Sequence, residues 1–599
     1  MIRHDPVVYK ASAGTSTRAV DADPITTEVI RHGLNSVANQ MKRALIRTAF
    51  SPIIYEVLDF AVAIYDRQMR LLAQAPSLPM FMGTMNFCVE AAVAAIGGEE
   101  ALEPGDILLY NFPYGTGSHP QDAAVVMPAF LSDGELIGYS TIKGHWLDIG
   151  GKEPYSTDTV DVFQEGTIFP GVKLYRRGEL VSDIYRMAIA NSRVPKMVAG
   201  DINAEVVGVR TATAGLVRLV ERHGRDVFRD SVERMFNHGE AVVRSYFERI
   251  PDGRYVGHGE MDNNGLDNVP VPFEVVLEVN GSTVRLDYST APDAHPGPIN
   301  CPLPSTVSAS RIAITMLAGG GEAPNEGQFR PIEVVTRPGS MFHPLPPSPC
   351  FLYGWPAMQA IEVIYNAVSK ALPQAVPACS GGDICSLVWW GVRDATGEPW
   401  ADGSPHPVGQ GAHHRGDGAS SLLHVAEAAT RFSPAEVWEA KNPWLIEKIE
   451  LSSDSGGPGE HQGGLGVDMH FHMLEDAWVT AALERTRNAP WGLQGGCEGR
   501  PNSAELRHSD GTSRSFGKAT RMKVPAGTTL ALHTGGGGGY GPPELRDPTQ
   551  VHADIREGYI SNEFAQQHYP HAFTAAGDAQ KLDRGGALGP RGGDDGRGR

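Results

Sequence analysis

Near residue 254 the hydrophobic pattern of this chain changes period, which restricts it to folds that combine helices with sheets. Before that point Ile30, Leu34, Val37, Met41 and Leu45 recur at helical spacing, so the pattern predicts an amphipathic helix over roughly 24–49. Asp23-Pro24 opens it well, since Asp caps orphan amides and proline suits the first turn. Further helices are predicted near 84–96, 201–223 and 225–249. The run LDFAVAIYD (58–66) reads as a strand, Pro76 to Met82 as a loop, and 105–176 as loops and short strands. Beyond 254 Phe273, Val275, Leu277 and Val279 alternate, Asn280-Gly281 supplies a tight turn, and Val284, Leu286 and Tyr288 alternate back. Asn-Gly between alternating runs marks a hairpin. Helical patterns return at 305–318 and 357–371, and strand alternation at 445–452 and 466–474. The expected fold class is mixed α/β (α+β) and multidomain, since 599 residues are about four average domains. Residues 20–250 form an N-terminal α/β region that bears the candidate metal site, and 251–545 a β-rich region with interspersed helices. Residues 577–599 lack apolar periodicity and read as a disordered tail.

Charge and cysteine usage remove several function classes. A net charge of −19 argues against nucleic acid as the ligand, because phosphate binding depends on Lys and Arg. The six cysteines contain no CxxC pair, so neither a disulfide framework nor a thiolate zinc site is expected. Reduced thiols, no secretory signal and no apolar run near the roughly 20 residues that span a bilayer point to a cytoplasmic protein without a membrane. The segment Gly511 to Ala519 imitates a phosphate-binding loop, but it has five residues between its glycines and no Ser or Thr after Lys518. Gly535–Gly539 has no lysine and reads as a flexible turn or close-packing element. No Gly-x-Ser-x-Gly elbow is present, so serine hydrolase chemistry has little support.

The richest segment is 111–151. It holds His119-x-x-Asp122 and His145-x-x-Asp148, each beside glycines. Imidazole with carboxylate suits a divalent ion, and a hairpin turning at Asp133-Gly134 would bring both pairs to one end. His and Asp are also ordinary turn residues, and for two matched pairs the two readings weigh about equally. Asp59 enters an apolar strand and so requires a partner, either a metal or, more simply, an arginine or a helix N-terminus. His413, His414 and Asp417 form a weaker candidate in a glycine-rich loop. His470 and His472 read as the polar face of a half-buried strand.

Taken together, SPIIYEVLDFAVAIYD (51–66), GTGSHPQD (115–122), GHWLDIGG (144–151), FQEG (163–166), NSRVPKMVAGD (191–201), NEGQFRPI (325–332), SDSGGPGEHQGGLG (453–466) and ERTRNAPWGLQGG (484–496) resemble the hydantoinase B/5-oxoprolinase family, which includes the larger subunits of ketone carboxylases. The resemblance implies a mixed α/β subunit working in a hetero-oligomer with a hydantoinase A-type ATPase subunit of actin-like fold. That partner binds ATP and phosphorylates a small-molecule substrate, and the B-type subunit completes the reaction at a divalent metal, manganese or zinc. By motif the ligands are Asp59, His119, Asp122 and His145, with Asp148 a close neighbour, so His119, Asp122, His145 and Asp148 are the catalytic candidates. The implied reaction is hydrolysis of a cyclic amide such as a hydantoin, 5-oxoproline or a lactam. The alternatives are a ketone carboxylase subunit and a non-catalytic structural subunit. Phe81 stands where many members carry a histidine, which puts the substrate or mechanism of those enzymes in question here.

Overall fold

A computed structural model of the chain describes residues 4–11, 22–319 and 323–574. The expected tail at 577–599 lies outside the described residues. The first long element is the helix Pro24–Thr48, opened by Asp23, whose carboxylate accepts from the Thr26 amide. It buries Ile30, Leu34, Val37, Met41 and Leu45 against the helix Pro195–His223 and one face of a seven-stranded antiparallel sheet. Strands of this sheet run in the order 71–74, 60–66, 136–145, 122–130, 107–110, 170–176, 179–180. The segment read as loops and short strands therefore supplies the two longest strands here, Asp122–Phe130 and Leu136–His145. Both of their faces are buried, so apolar residues occur at successive positions and mask the alternation.

A second, mixed sheet has the order 7–10, 332–336, 283–287, 271–280, 253–261. The predicted hairpin is present in it, with Val271–Asn280 paired to Thr283–Asp287 around Gly281 at φ +56°. The helix Gly354–Ala371 packs on this sheet. One apolar core runs from Ala61, Phe81 and Val126 on one side of residue 250 to Leu277, Ile314 and Met358 on the other. The C-terminal third stacks two further sheets, one containing Ser386–Val392 and the other Val467–Met473, around Trp389, Trp444 and Phe471. Gly535–Gly539 is a close-packing element: a Cβ on Gly537 would lie 1.9 Å from the Gln410 carbonyl oxygen.

The phosphate-loop imitation proves to be the strand Ser513–Phe516 and the connection that leads from it to the strand Ala519–Val524 of another sheet, with Lys518 ion-paired to buried Glu484 at 2.5 Å. Among the described residues no helix is long and apolar enough to cross a membrane. All six cysteines are free.

Candidate metal centre

Strand register builds this site. Asp122 and His145 are directly opposed in the hairpin, because Asp122 starts one strand and His145 ends the other. The neighbouring strand pairs Phe60 with Gly144, and the His145 amide donates to the Asp59 carbonyl at 3.1 Å. Three adjacent strand ends thus present Asp59, His145 and Asp122 side by side. His119 arrives from the loop before Asp122, after the short helix Pro113–Thr116 ends at Gly117 in a left-handed conformation (φ +81°). A side chain there would strike Pro304 and Ser305, so glycine is required for the chain to turn back.

Among the described residues, His119, Asp122 and His145 form a buried cluster able to hold a metal ion. His119 Nε2 is 3.1 Å from His145 Nδ1 and 3.1 Å from Asp122 Oδ1, and His145 Nδ1 is 2.8 Å from Asp122 Oδ1. Two ligands about 2.0–2.1 Å from one zinc at a tetrahedral angle lie about 3.3 Å apart, so this triangle has the spacing of ligands around one ion. His119 Nδ1 lies 2.9 Å from the Phe351 carbonyl and must donate to it, which leaves the Nε2 lone pair facing the cluster. The Tyr353 hydroxyl donates to Asp122 Oδ2 at 3.1 Å. Asp59 Oδ2 is 4.0 Å from His145 Nδ1, while Asp59 Oδ1 is buried without a hydrogen-bond partner. An orphaned carboxylate oxygen beside three convergent donors fits a cation as its missing partner.

These groups also perturb one another's charge. Burial would raise the Asp122 carboxyl, but the charge and hydrogen bond of His119, with those of His145, outweigh it and hold it far below the usual range. His145 is raised: burial opposes its charge, yet Asp122 and Asp59 prevail. Asp59 is pushed up to about 6, chiefly by burial.

The structure separates Asp148 from this group, against the reading that both His-x-x-Asp pairs face one ion. The strand ends at His145, and the chain turns so that Asp148 Oδ1 accepts from the Arg193 guanidinium at 2.5 Å and Oδ2 from the Arg193 amide. Asp148 thereby fixes the loop that follows the site. Asp417 is likewise committed elsewhere, taking both nitrogens of Arg546 at 2.8 and 2.7 Å, and His413 accepts from the Arg415 amide at 3.1 Å.

Asp59, His119, Asp122 and His145 open onto a small cavity of about 70 Å3, walled by Phe81, Tyr155, Tyr353, Trp355 and Met358. Glu427 also lines it, on a single turn capped by the His424 ring nitrogen. Burial, with the nearby Asp59 and Asp122, pushes the Glu427 carboxyl well above its ordinary value. Sequence reading missed Tyr353 and Glu427. They come from more than 200 positions away, and a lone Tyr or Glu carries no spacing signal.

A model of the Hydantoinase B/oxoprolinase family matches residues 23–543. A protein of Pseudomonas sp. (strain NS671), named as the B component of a putative D-/L-hydantoinase, is 28% identical over 580 residues, covering 94% of this chain and 96% of the relative. The caprolactamase beta component of Pseudomonas jessenii is 27% identical over 570 residues, 91% and 96% of the two chains. The crystal structure of the ATP-dependent caprolactamase from that organism superposes with a TM-score of 0.84 at 25% identity, covering 92% of this chain and 96% of the other. A nucleotide-free acetone carboxylase structure superposes at 0.82 with 18% identity, covering 91% and 79%; that likeness speaks for the fold alone.

Proposed function

The chain belongs to the Hydantoinase B/oxoprolinase family, and from that premise we propose that it is the metal-bearing B-type subunit of an ATP-dependent cyclic-amide hydrolase. The observation that carries the reading is the triangle of His119 Nε2, Asp122 Oδ1 and His145 Nδ1 at the floor of a cavity. Asp59, His119, Asp122 and His145 are the residues that would hold a manganese or zinc ion. Bound there, such an ion lowers the pKa of water and polarises a carbonyl.

The protein's own groups do the rest. Phe351 and Tyr353 fix the ring of His119 and the carboxylate of Asp122, so the donors need no rearrangement. The aromatic wall offers the ring substrate an apolar surface. Glu427 lines the same cavity, and its burial favours the protonated form, which makes it the group placed to give a proton to the ring nitrogen as the C–N bond breaks. Activation of the amide by ATP belongs to a hydantoinase A-type partner. Support for a partner comes from relatives named as the B component of a hydantoinase and the beta component of a caprolactamase, and this chain's only phosphate-loop imitation is an edge strand with the connection to the next sheet.

The test is the chain co-purified with its A-type ATPase subunit and assayed for ATP-dependent ring opening. We expect about one manganese or zinc per chain and ring opening that requires both subunits. His119→Ala should remove most of the metal and reduce turnover at least 1,000-fold. Full metal content and turnover in that variant would refute the site. Incorporation of bicarbonate into a ketone without ring opening would replace the hydrolase reading with a carboxylase.

A further inference from the structure

We infer that the ring opened by this protein carries no anionic substituent: the cavity selects a neutral, largely apolar cyclic amide, and Phe81 is a residue that sets this preference. The inference rests on the ring-opening reading above and narrows its substrate class.

The first observation is the charge of the cavity. No lysine or arginine lines it, whereas Asp59, Asp122 and Glu427 do. Asp59 and Asp122 would together balance a divalent ion that they held with two neutral imidazoles, leaving the floor at zero net charge. Glu427 can only leave that sum unchanged or make it negative. The charge of an ion held there would be engaged by the amide oxygen and its activating group. A second anion, such as a ring carboxylate, would be desolvated with no cation beside it, and an unpaired buried charge is among the costliest contacts a site can make.

The second observation is where the nearest cation has gone. Lys143 is fully buried, two positions before His145 on the same strand, yet it does not line the cavity. Its ammonium donates to Thr84 Oγ1 at 2.7 Å, the Thr116 carbonyl at 3.0 Å and Ser118 Oγ at 3.3 Å, so all three protons are engaged. The Phe81 ring lies 4.2 Å from that ammonium and is itself part of the cavity wall. Phe81 therefore stands between Lys143 Nζ and the cavity and presents hydrocarbon to the substrate. With Leu78, Trp355 and Met358 it makes a wall suited to methylenes.

The experiment uses the complex with its ATPase subunit and a pair of rings that differ in one group, 5-methyl-2-pyrrolidone and 5-oxoproline. We expect kcat/KM to favour the methyl compound by at least about 100-fold, the scale of an unpaired buried charge. Phe81→His puts a polar donor in the wall and should narrow that ratio at least tenfold. Metal content and Tm are measured alongside, so that a misfolded variant is recognised, and Phe81→Tyr supplies a gentler second change in the same direction. Because Phe81 belongs to this chain, a shift in the ratio assigns selectivity to this cavity and not to the partner's ATP site. Equal turnover of the two rings, or a ratio unmoved in folded, metal-loaded Phe81 variants, would overturn the inference and leave ring opening standing. Bicarbonate fixation with no ring opened would overturn both.

Discussion

At the scale of the residue, the informative groups are acids whose burial has altered their chemistry. Glu165 is fully buried. Its Oε1 accepts from the Thr159 hydroxyl and from the amides of Cys350 and Phe351 at 2.9, 2.7 and 2.8 Å. The same Phe351 offers its carbonyl to His119 Nδ1, so Glu165 holds the support of a candidate ligand. Burial pushes the Glu165 carboxyl up to about 8 from an ordinary value of 4.5. A raised folded-state pKa means that the protonated form favours the fold. The stability it contributes is complete below the unfolded value near 4.5, declines as pH rises, and is gone above about 8. Glu165→Gln keeps the accepting oxygen and cannot ionise. Its Tm should therefore fall less between pH 5 and pH 8 than that of the natural protein, in thermal scans of both across that range. Parallel curves would mean that Glu165 is ionised in the fold. None of this was legible in FQEG (163–166), because a glutamate is read as exposed until its distant neighbours are known. The nearness of Asp122 and His145 was legible, because a hairpin turning at Asp133-Gly134 brings both to one end.

At the scale of the element, local pattern sufficed where an element has one wet face and failed where it has none. The helix Pro24–Thr48 and the hairpin around Gly281 show their period because half of each faces water. The strands Asp122–Phe130 and Leu136–His145 are covered on both faces and lost theirs. The pentaglycine run was ambiguous for a different reason: a glycine chosen for mobility and one chosen for contact look alike in sequence. The structure separates them by packing. Gly537 donates to the Gly464 carbonyl at 2.9 Å and accepts from the Gly457 amide at 2.8 Å, with the Gln410 carbonyl pressed against its Cα. Gly537→Ala must push backbone against backbone, where no rotamer can give way, and should cost about 3 kcal/mol or more. Urea unfolding of the variant measures this directly, and a loss below about 0.5 kcal/mol would show the run to be compliant.

At the scale of the whole molecule, the division placed at residue 250 coincides with the end of the helix Arg225–Phe247, yet the apolar core continues through it. The site has the same property. Its candidate ligands all precede 250, while the carbonyl that orients His119, the hydroxyl that holds Asp122 and the carboxyl of Glu427 all follow it. The N-terminal strand Val7–Lys10 also closes the edge of the second sheet by pairing with Ile332–Thr336, so each half completes the other. A fragment ending at residue 250 would expose the face of Phe81, Val126 and Tyr139 that packs in the shared core. It would also leave His119 free to rotate, since the Phe351 carbonyl would be missing. Such a fragment should show no cooperative unfolding transition and no stoichiometric uptake of manganese or zinc. The intact chain should show both, by calorimetry and by metal analysis after dialysis. A fragment that melts cooperatively and retains one ion would mean that the hairpin and its neighbouring strand preorganise the donors unaided, and that the second half of the chain only walls the cavity.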